Sequence, residues 1–312
     1  MSTHGQSSAV GVIVKNEWRA LLREKTFLLL LGIFLTMTFF SVYIGWSTRT
    51  TTNAIYHASV SYLGAHGVAN VIPNPLDGIS PLLVFDNMLI YILLIGALLA
   101  IVIGHRSFIR ERASGVLPLT FVRPVGKARY AFAKLLGIFS ALLGVVFVTY
   151  IVSALSALFI PTLHLSGSEF LYLLGFYIAS FVYLAIFAAL GLLFAIVSRN
   201  ESTALFIPIL LWVAVVFIVP ELTTGQNPVA LLNPVTLANA LPDQGPFFAF
   251  MGKVFGPISI GQFYTRSALD LLRSNATAFV MPLGALLAYL ALATGISAYA
   301  LGRHTSTNDL LL

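Results

Sequence analysis

The sequence predicts an all-α protein that crosses a membrane six times, with an amphipathic helix before the first crossing and a cytoplasmic helix between the second and third. Three observations lead to this fold class. Of the 312 residues, 58% are hydrophobic and only 9% are charged, and the mean hydropathy is +0.94. A soluble chain carries about 25% charged residues, so this one cannot cover itself with a solvated surface. Soluble enzymes, disordered chains and secreted disulfide scaffolds are therefore excluded.

The gaps between charged residues locate the crossings, because a spanning helix needs about 20 mostly apolar residues. Six gaps are long enough, and their apolar segments lie at residues 27–46, 87–105, 135–160, 170–198, 203–220 and 279–301. Together they predict one transmembrane domain over residues 27–302, between tails at 1–26 and 303–312.

Three other stretches poor in charge do not fit a crossing. Residues 50–76 and 222–242 are rich in Thr, Asn and Pro, which is typical of polar loops. Residues 247–263 are aromatic but are interrupted by Lys253 and Pro257, which favours an interfacial or re-entrant helix. If this stretch spanned, the C-terminus would change sides.

The distribution of Lys and Arg predicts the orientation. With six crossings, thirteen of these residues fall on one side and four on the other. The positive-inside rule then places both termini in the cytoplasm and the chain in the cytoplasmic membrane. The loop 221–278 would lie outside, where it could hold an extracytoplasmic partner. The net charge of +6 is explained by this asymmetry, so no nucleic acid partner is expected.

The centres of the predicted crossings contain no Asp, Glu, Lys or Arg. A charge there costs roughly 2.5–3.5 kcal/mol and is normally kept for function, as in proton carriers and pumps. The nearest approach to a P-loop is Gly126-Lys127, which Ala128 follows where Ser or Thr is needed. No catalytic motif is apparent and there is no Cys. We therefore expect no enzyme, no bound cofactor or metal, and an external source of energy.

The N-terminal segment has the pattern of an amphipathic helix. One face carries Val10, Val14, Trp18, Leu21 and Leu22, and another carries Lys15, Arg19 and Arg23. Such a helix lies in the headgroup plane with its apolar face in the acyl chains. It could be a simple anchor, or it could also offer a docking surface to a cytoplasmic partner.

The second cytoplasmic feature is the loop 106–134, in which an apolar run, residues 116–122, lies between two basic clusters. An amphipathic helix across the cytoplasmic face would explain the apolar run, whereas a loop that only retains positive charge would not need it. Gly115 permits a turn before this run.

This loop resembles the first cytoplasmic loop of ABC-2 type permeases, the membrane subunits of ABC transporters. The matching residues are Glu111, Gly115, Leu117, Pro124, Val125, Lys127 and Lys134. The segment 15–25 resembles the lead-in helix of that family, and Leu232-Asn233-Pro234-Val235 resembles an element before its last helix. The loop departs from the family pattern at Val116 and Pro118, and Lys127 stands at a basic position where the family more often has Arg.

The resemblance implies that residues around 111–123 form a coupling helix, which inserts into a groove of a separate ATPase subunit. The residues implied in this contact are Arg110, Glu111, Arg112, Gly115, Leu117, Leu119, Arg123 and Pro124. The N-terminal helix, with Lys15, Trp18, Arg19 and Arg23, would flank it. The family resemblance also implies two ATPase copies that use ATP and Mg. It further implies a homodimer or a pair with a sister permease, and transport in the direction of export.

Two further possibilities accompany this interpretation. The resemblance extends to the subgroup that serves copper-site maturation of nitrous oxide reductase, but a chain with no Cys and five Met has few soft ligands for Cu(I). The alternative function is a self-contained channel, flippase or scaffold of a larger membrane complex. Transport by the isolated protein without nucleotide would favour that alternative.

Overall fold

The computed structural model describes residues 4–67, 73–115, 127–160, 163, 165–224, 245–275 and 277–304, and within these ranges the regular structure is helical. The helices, in chain order, are α1 (His4–Leu22), α2 (Lys25–Ala65), α3 (Pro81–Ala113), α4 (Lys127–Phe159), α5 (Gly167–Val197), α6 (Glu201–Thr223), α7 (Pro246–Phe255), α8 (Ile260–Leu272) and α9 (Val280–His304).

Six of these helices, α2 to α6 and α9, are long and apolar enough to cross a membrane. Each predicted segment lies within one of these helices or extends beyond its end by one residue, and several of the helices are longer than the predicted segments. The fold class predicted from the sequence is therefore confirmed, together with the N-terminal helix. The two cytoplasmic tails and the side on which they lie stay predictions.

The prediction of a polar loop over residues 50–76 was wrong for its first two thirds, because α2 continues to Ala65. No Gly or Pro interrupts the chain between Gly45 and Gly64. The polar side chains also bond within the helix. Thr52 donates to the carbonyl of Thr48 at 2.9 Å, and Ser59 and Ser61 bond one turn back in the same way. Hydroxyls satisfied in this manner are compatible with a helix.

Residues 247–263 form parts of two short helices, α7 and α8, joined by a tight turn at Gly256–Ile258. Neither helix is long enough to span, so the number of candidate crossings among the described residues remains six. Whether this region lies at the interface or re-enters stays a prediction. Of the second predicted loop, 222–242, residues 225–242 lie outside the described part of the chain.

Helix α5 is the centre of the bundle and packs against α3, α4, α6, α8 and α9. It begins with a capping box, in which Ser166 and Glu169 exchange hydrogen bonds with each other's backbone. Close approach to α3 depends on glycine: a Cβ at Gly104 would overlap the carbonyl oxygen of Ala188, and one at Gly191 would overlap that of Ile101. Small residues commonly permit such contacts between membrane helices.

Several hydroxyl and indole groups inside the bundle bond to one another or to the backbone. The hydroxyls of Ser153 and Tyr177 lie 2.5 Å apart. In α3, a wide helical turn at residues 92–96 presents the carbonyl of Leu93, which accepts bonds from Tyr183 at 3.2 Å and Trp212 at 3.0 Å. Such bonds offset the cost of placing a polar group where no water is present.

Candidate functional site

A cluster of ionised and hydroxyl side chains joins the end of α3, the start of α4 and the middle of α1. We call it the junction cluster; its members are Glu17, Ser107, Arg110, Glu111, Tyr130 and Lys134. The end of the bundle that holds it is called the basic end below. The cluster combines residues from the N-terminal segment and from both flanks of the loop 106–134.

Lys134 is the centre of the junction cluster. Its side chain is fully buried, and its Nζ lies 2.5 Å from Oε1 of Glu17 and 2.6 Å from Oε1 of Glu111. The Glu17 side chain is 2% exposed, and its second oxygen accepts bonds from Ser107 at 2.9 Å and from Arg110 at 3.0 Å. The hydroxyl of Tyr130 donates to the second oxygen of Glu111. Two carboxylates thus face one ammonium and one guanidinium.

Helical spacing explains how these side chains meet. Ser107, Arg110 and Glu111 are three and four residues apart in α3, so they share one face. Tyr130 and Lys134 are one turn apart in α4. A buried pair of this kind gains little over apolar residues of similar size, because desolvation offsets most of the attraction. Removal of one partner is nevertheless costly, so the cluster enforces one arrangement of three helices.

Arg112 bonds to the end of α5 and not to a carboxylate. Its guanidinium donates to the carbonyl oxygens of Ser198 and Ala195, both at 2.8 Å, and of Ile196 at 3.1 Å. The last carbonyls of a helix lack partners within it and carry partial negative charge, which a guanidinium satisfies. The same group lies 5.0 Å above the ring of Phe108. Arg112 therefore links α3 to α5.

Arg106 forms the outer edge of the site. Its Nε lies 2.9 Å from Glu24, at the start of α2, and its Nη1 lies 3.2 Å from Glu201, at the start of α6. These groups are partly exposed, so each pair contributes little to stability, roughly 0–1 kcal/mol. They nevertheless bring the ends of α2, α3 and α6 together at the basic end.

The structure places half of the predicted coupling residues at this site. Arg110, Glu111 and Arg112 bind within the chain as described above. Gly115 has a φ of +65° and its N–H bonds to the carbonyl of Arg112 at 3.2 Å, so it ends α3 as the predicted turn. Leu117, Leu119, Arg123 and Pro124 lie in residues 116–126, outside the described part of the chain.

The N-terminal helix is present, but α4 covers part of the face that was expected to lie in acyl chains. The indole of Trp18 donates to the hydroxyl of Ser140 at 3.0 Å and rests on Gly144, where a Cβ would overlap it. Leu21 is also buried. Lys15, Arg19 and Arg23 are exposed on the other side, as their spacing predicts.

Sequence reasoning did not assign Glu17, Ser107, Tyr130 or Lys134 to the site. One signal was available: Glu17 stands between Val14, Trp18 and Leu21 on the apolar face of α1. An acidic residue in that position needs a buried cation. The identity of the cation was not evident, because Lys134 is 117 residues away in the sequence.

Comparisons with known proteins agree with this architecture. The model of a protein family described as ABC-2 family transporter protein matches residues 12–305, which includes the junction cluster and all six candidate crossings. The match does not place the chain in the copper-maturation subgroup. Compared with curated proteins one by one, the chain has no match.

Proposed function

The chain belongs to the ABC-2 family of transporter proteins and is a membrane component of an ABC transporter. From that premise we propose that a separate ATPase drives it through the coupling residues around 111–123, most of which belong to the segment 116–126 between α3 and α4. The observation that carries this proposal is the junction cluster. Both helices that flank the segment, α3 and α4, are joined through Glu111 and Lys134 at 2.6 Å. Glu17 joins the same pair to α1.

A force on residues 116–126 would move several helices together. Because α3 and α4 share buried ionic contacts, displacement of the segment between them must move both or break the cluster. Arg112 would pass the displacement to the end of α5 through three carbonyl bonds. An effector acts on such a device by binding one helix arrangement more tightly than another. The permease would supply the pathway and the ATPase the energy.

The proposal extends to the assembly. Two ATPase copies, with ATP and Mg, would serve a homodimer or a pair with a sister permease, and transport would run outward. The basic end would face the cytoplasm, since Arg106, Arg110, Arg112 and Arg199 gather there. Both termini would then be cytoplasmic in the cytoplasmic membrane, and ATP hydrolysis would occur outside this chain.

The decisive experiment uses the full-length tagged chain, purified from its native membranes in mild detergent. We expect a P-loop ATPase to copurify and its ATP hydrolysis to be inhibited by vanadate. Arg123→Glu reverses one charge of the proposed coupling segment and should reduce both copurification and hydrolysis. Arg129→Glu is a matched control, because Arg129 is exposed at the start of α4.

These experiments also distinguish the proposed function from the alternative, a self-contained channel or flippase. An intact complex with unchanged hydrolysis in the Arg123→Glu variant would contradict coupling through this segment. Movement of lipid or substrate by the chain alone in liposomes, without nucleotide, would identify a self-contained channel or flippase instead.

A further inference from the structure

An apolar groove lies along the part of α2 that extends beyond Arg49. One wall is the face of α2 from Thr52 to Leu63, and the other consists of Pro73 and Pro75. Its volume is about 310 Å³, at the lower end of the range of small-molecule sites. A hydrogen bond of 3.1 Å between Asn74 and Asn53 holds the two walls together.

The groove offers almost only hydrocarbon to a ligand. None of the lining side chains is charged. The hydroxyls of Thr52 and Ser59 donate to carbonyls of their own helix at 2.9 Å and 2.8 Å. Among the described residues, the phenol of Tyr56 makes no hydrogen bond, so it is the single polar group left for an occupant. A charged or strongly polar ligand would lose its hydration here without replacement.

If α2 enters the hydrocarbon core of a membrane at Lys25, the groove stands above that core. Lys25 begins α2, and Thr52 lies about 40 Å further along a helix that rises 1.5 Å per residue. The hydrocarbon core is about 30 Å thick. Even with a tilt of about 40°, the upper end for spanning helices, Thr52 would stand about 31 Å above Lys25. Apolar side chains at this level have no lipid tails around them.

The same face of α2 is covered by protein lower down. Phe34, Thr38 and Val42 are buried against the bundle. Gly45 lies so close to α3 that a Cβ would overlap the carbonyl of Val84. The groove therefore continues a packed interface upward, at the surface where lipids of the adjacent leaflet are the available apolar molecules.

From this geometry we propose that the groove binds the hydrocarbon chain of an amphiphile, such as the acyl chain of a membrane lipid. Tyr56 donates a hydrogen bond to an ester or carboxyl oxygen at the polar end of that chain. This site does not depend on the proposed coupling to an ATPase, and it is tested without nucleotide.

The test uses the full-length protein in nanodiscs that contain a phospholipid with a diazirine in its acyl chain. After irradiation and digestion, mass spectrometry locates the labelled residues. We expect label on residues 52–63 and 73–75 in addition to the embedded residues 27–46. Val60→Trp fills the groove and should reduce the upper label at least about tenfold. Ala58→Trp is the control, since Ala58 is exposed and does not line the groove.

Label over residues 27–46 reports correct insertion of each variant. Upper label that Val60→Trp leaves unchanged, or label confined to residues 27–46, would overturn the proposal. Because the chain has no Cys, a single Ser59→Cys variant provides a second test, in which disulfide formation between two copies is measured. A disulfide between two copies of that variant would show that a second copy fills the groove, and this too would overturn the proposal.

Discussion

Lys134 and Glu17 form a buried ion pair with 2.5 Å between Nζ and Oε1, although 117 residues separate them in the sequence. Glu111 shares the same ammonium at 2.6 Å. The N-terminal helix is therefore an integral part of the helical bundle at its basic end. In the proposed function, this pair joins α1 to the two helices that an ATPase would move.

We expect Lys134→Met to lower the free energy of unfolding by about 3–5 kcal/mol, because it leaves the buried carboxylate of Glu17 and the partly buried one of Glu111 with Arg110 as the remaining cation. Adding Glu17→Gln should restore part of this loss. Unfolding in detergent micelles, analysed as a double-mutant cycle, measures the coupling. Lys15→Met is the control on an exposed face of α1. Additive effects of the two substitutions would contradict the pairing.

Gly144→Ala should loosen the N-terminal helix from α4. The added Cβ overlaps the indole of Trp18, and overpacking of this kind costs about 1–3 kcal/mol. A single Leu21→Cys provides the measurement, since Leu21 is buried and the chain has no other Cys. Its labelling by a maleimide should become faster in the Gly144→Ala background.

Gly32→Ala is the matched control for this substitution, because a Cβ there meets nothing within 4 Å. Equal labelling rates in the two glycine variants would show that the contact between Trp18 and Gly144 does not hold α1 in place.

Arg112→Met should remove the donor that satisfies three carbonyl oxygens at the end of α5. Hydrogen bonds from a charged donor contribute about 1.5–3 kcal/mol, so we expect a loss of this order in stability. Hydrogen exchange at residues 195–200 should rise more than exchange in the centre of α5. Arg112→Lys keeps the charge but loses the planar fork, and it should recover only part of the protection. Full recovery would indicate that charge alone matters.

Gly115→Val should disturb the end of α3. The φ of +65° at this position suits Gly, and a β-branched residue there costs about 1–2 kcal/mol. Gly115→Asn should be milder, since Asn tolerates this conformation. In the proposed assembly, Gly115→Val should also reduce ATP hydrolysis by the complex while leaving membrane insertion intact. Similar values for the Val and Asn variants, in stability and in hydrolysis, would argue against a role for backbone geometry.

The crossings were predictable because each depends on a local property, a run of about 20 apolar residues, that packing does not change. The error at residues 50–65 had a different origin. Their Thr and Asn residues suggested a loop, but the hydroxyls of Thr52 and Ser59 bond one turn back, and no Gly or Pro breaks the helix between Gly45 and Gly64. The absence of helix breakers was the better local signal.

Four of the eight predicted coupling residues, Arg110, Glu111, Arg112 and Gly115, lie at the end of α3. Of these, Arg110 bonds to Glu17 of the N-terminal helix, whereas Arg112 bonds to the end of α5. The roles of Arg110 and Arg112 within the chain could not be derived from composition, because each guanidinium binds groups on distant segments, Glu17 and the end of α5. Spacing identifies a shared helix face, but it does not identify the partner of that face.

The sequence by itself determined the number of membrane crossings, the absence of charge at their centres and the basic end of the bundle, since hydropathy and charge are properties of the residues. Only the tertiary structure decided which cation neutralises Glu17, which carbonyls Arg112 satisfies and where α2 leaves an apolar groove. These depend on groups brought within a few ångströms by packing. The free energy of an ion pair or a hydrogen bond depends on the distance between its two groups and on the exclusion of water. Neither quantity can be derived from a single segment of the chain.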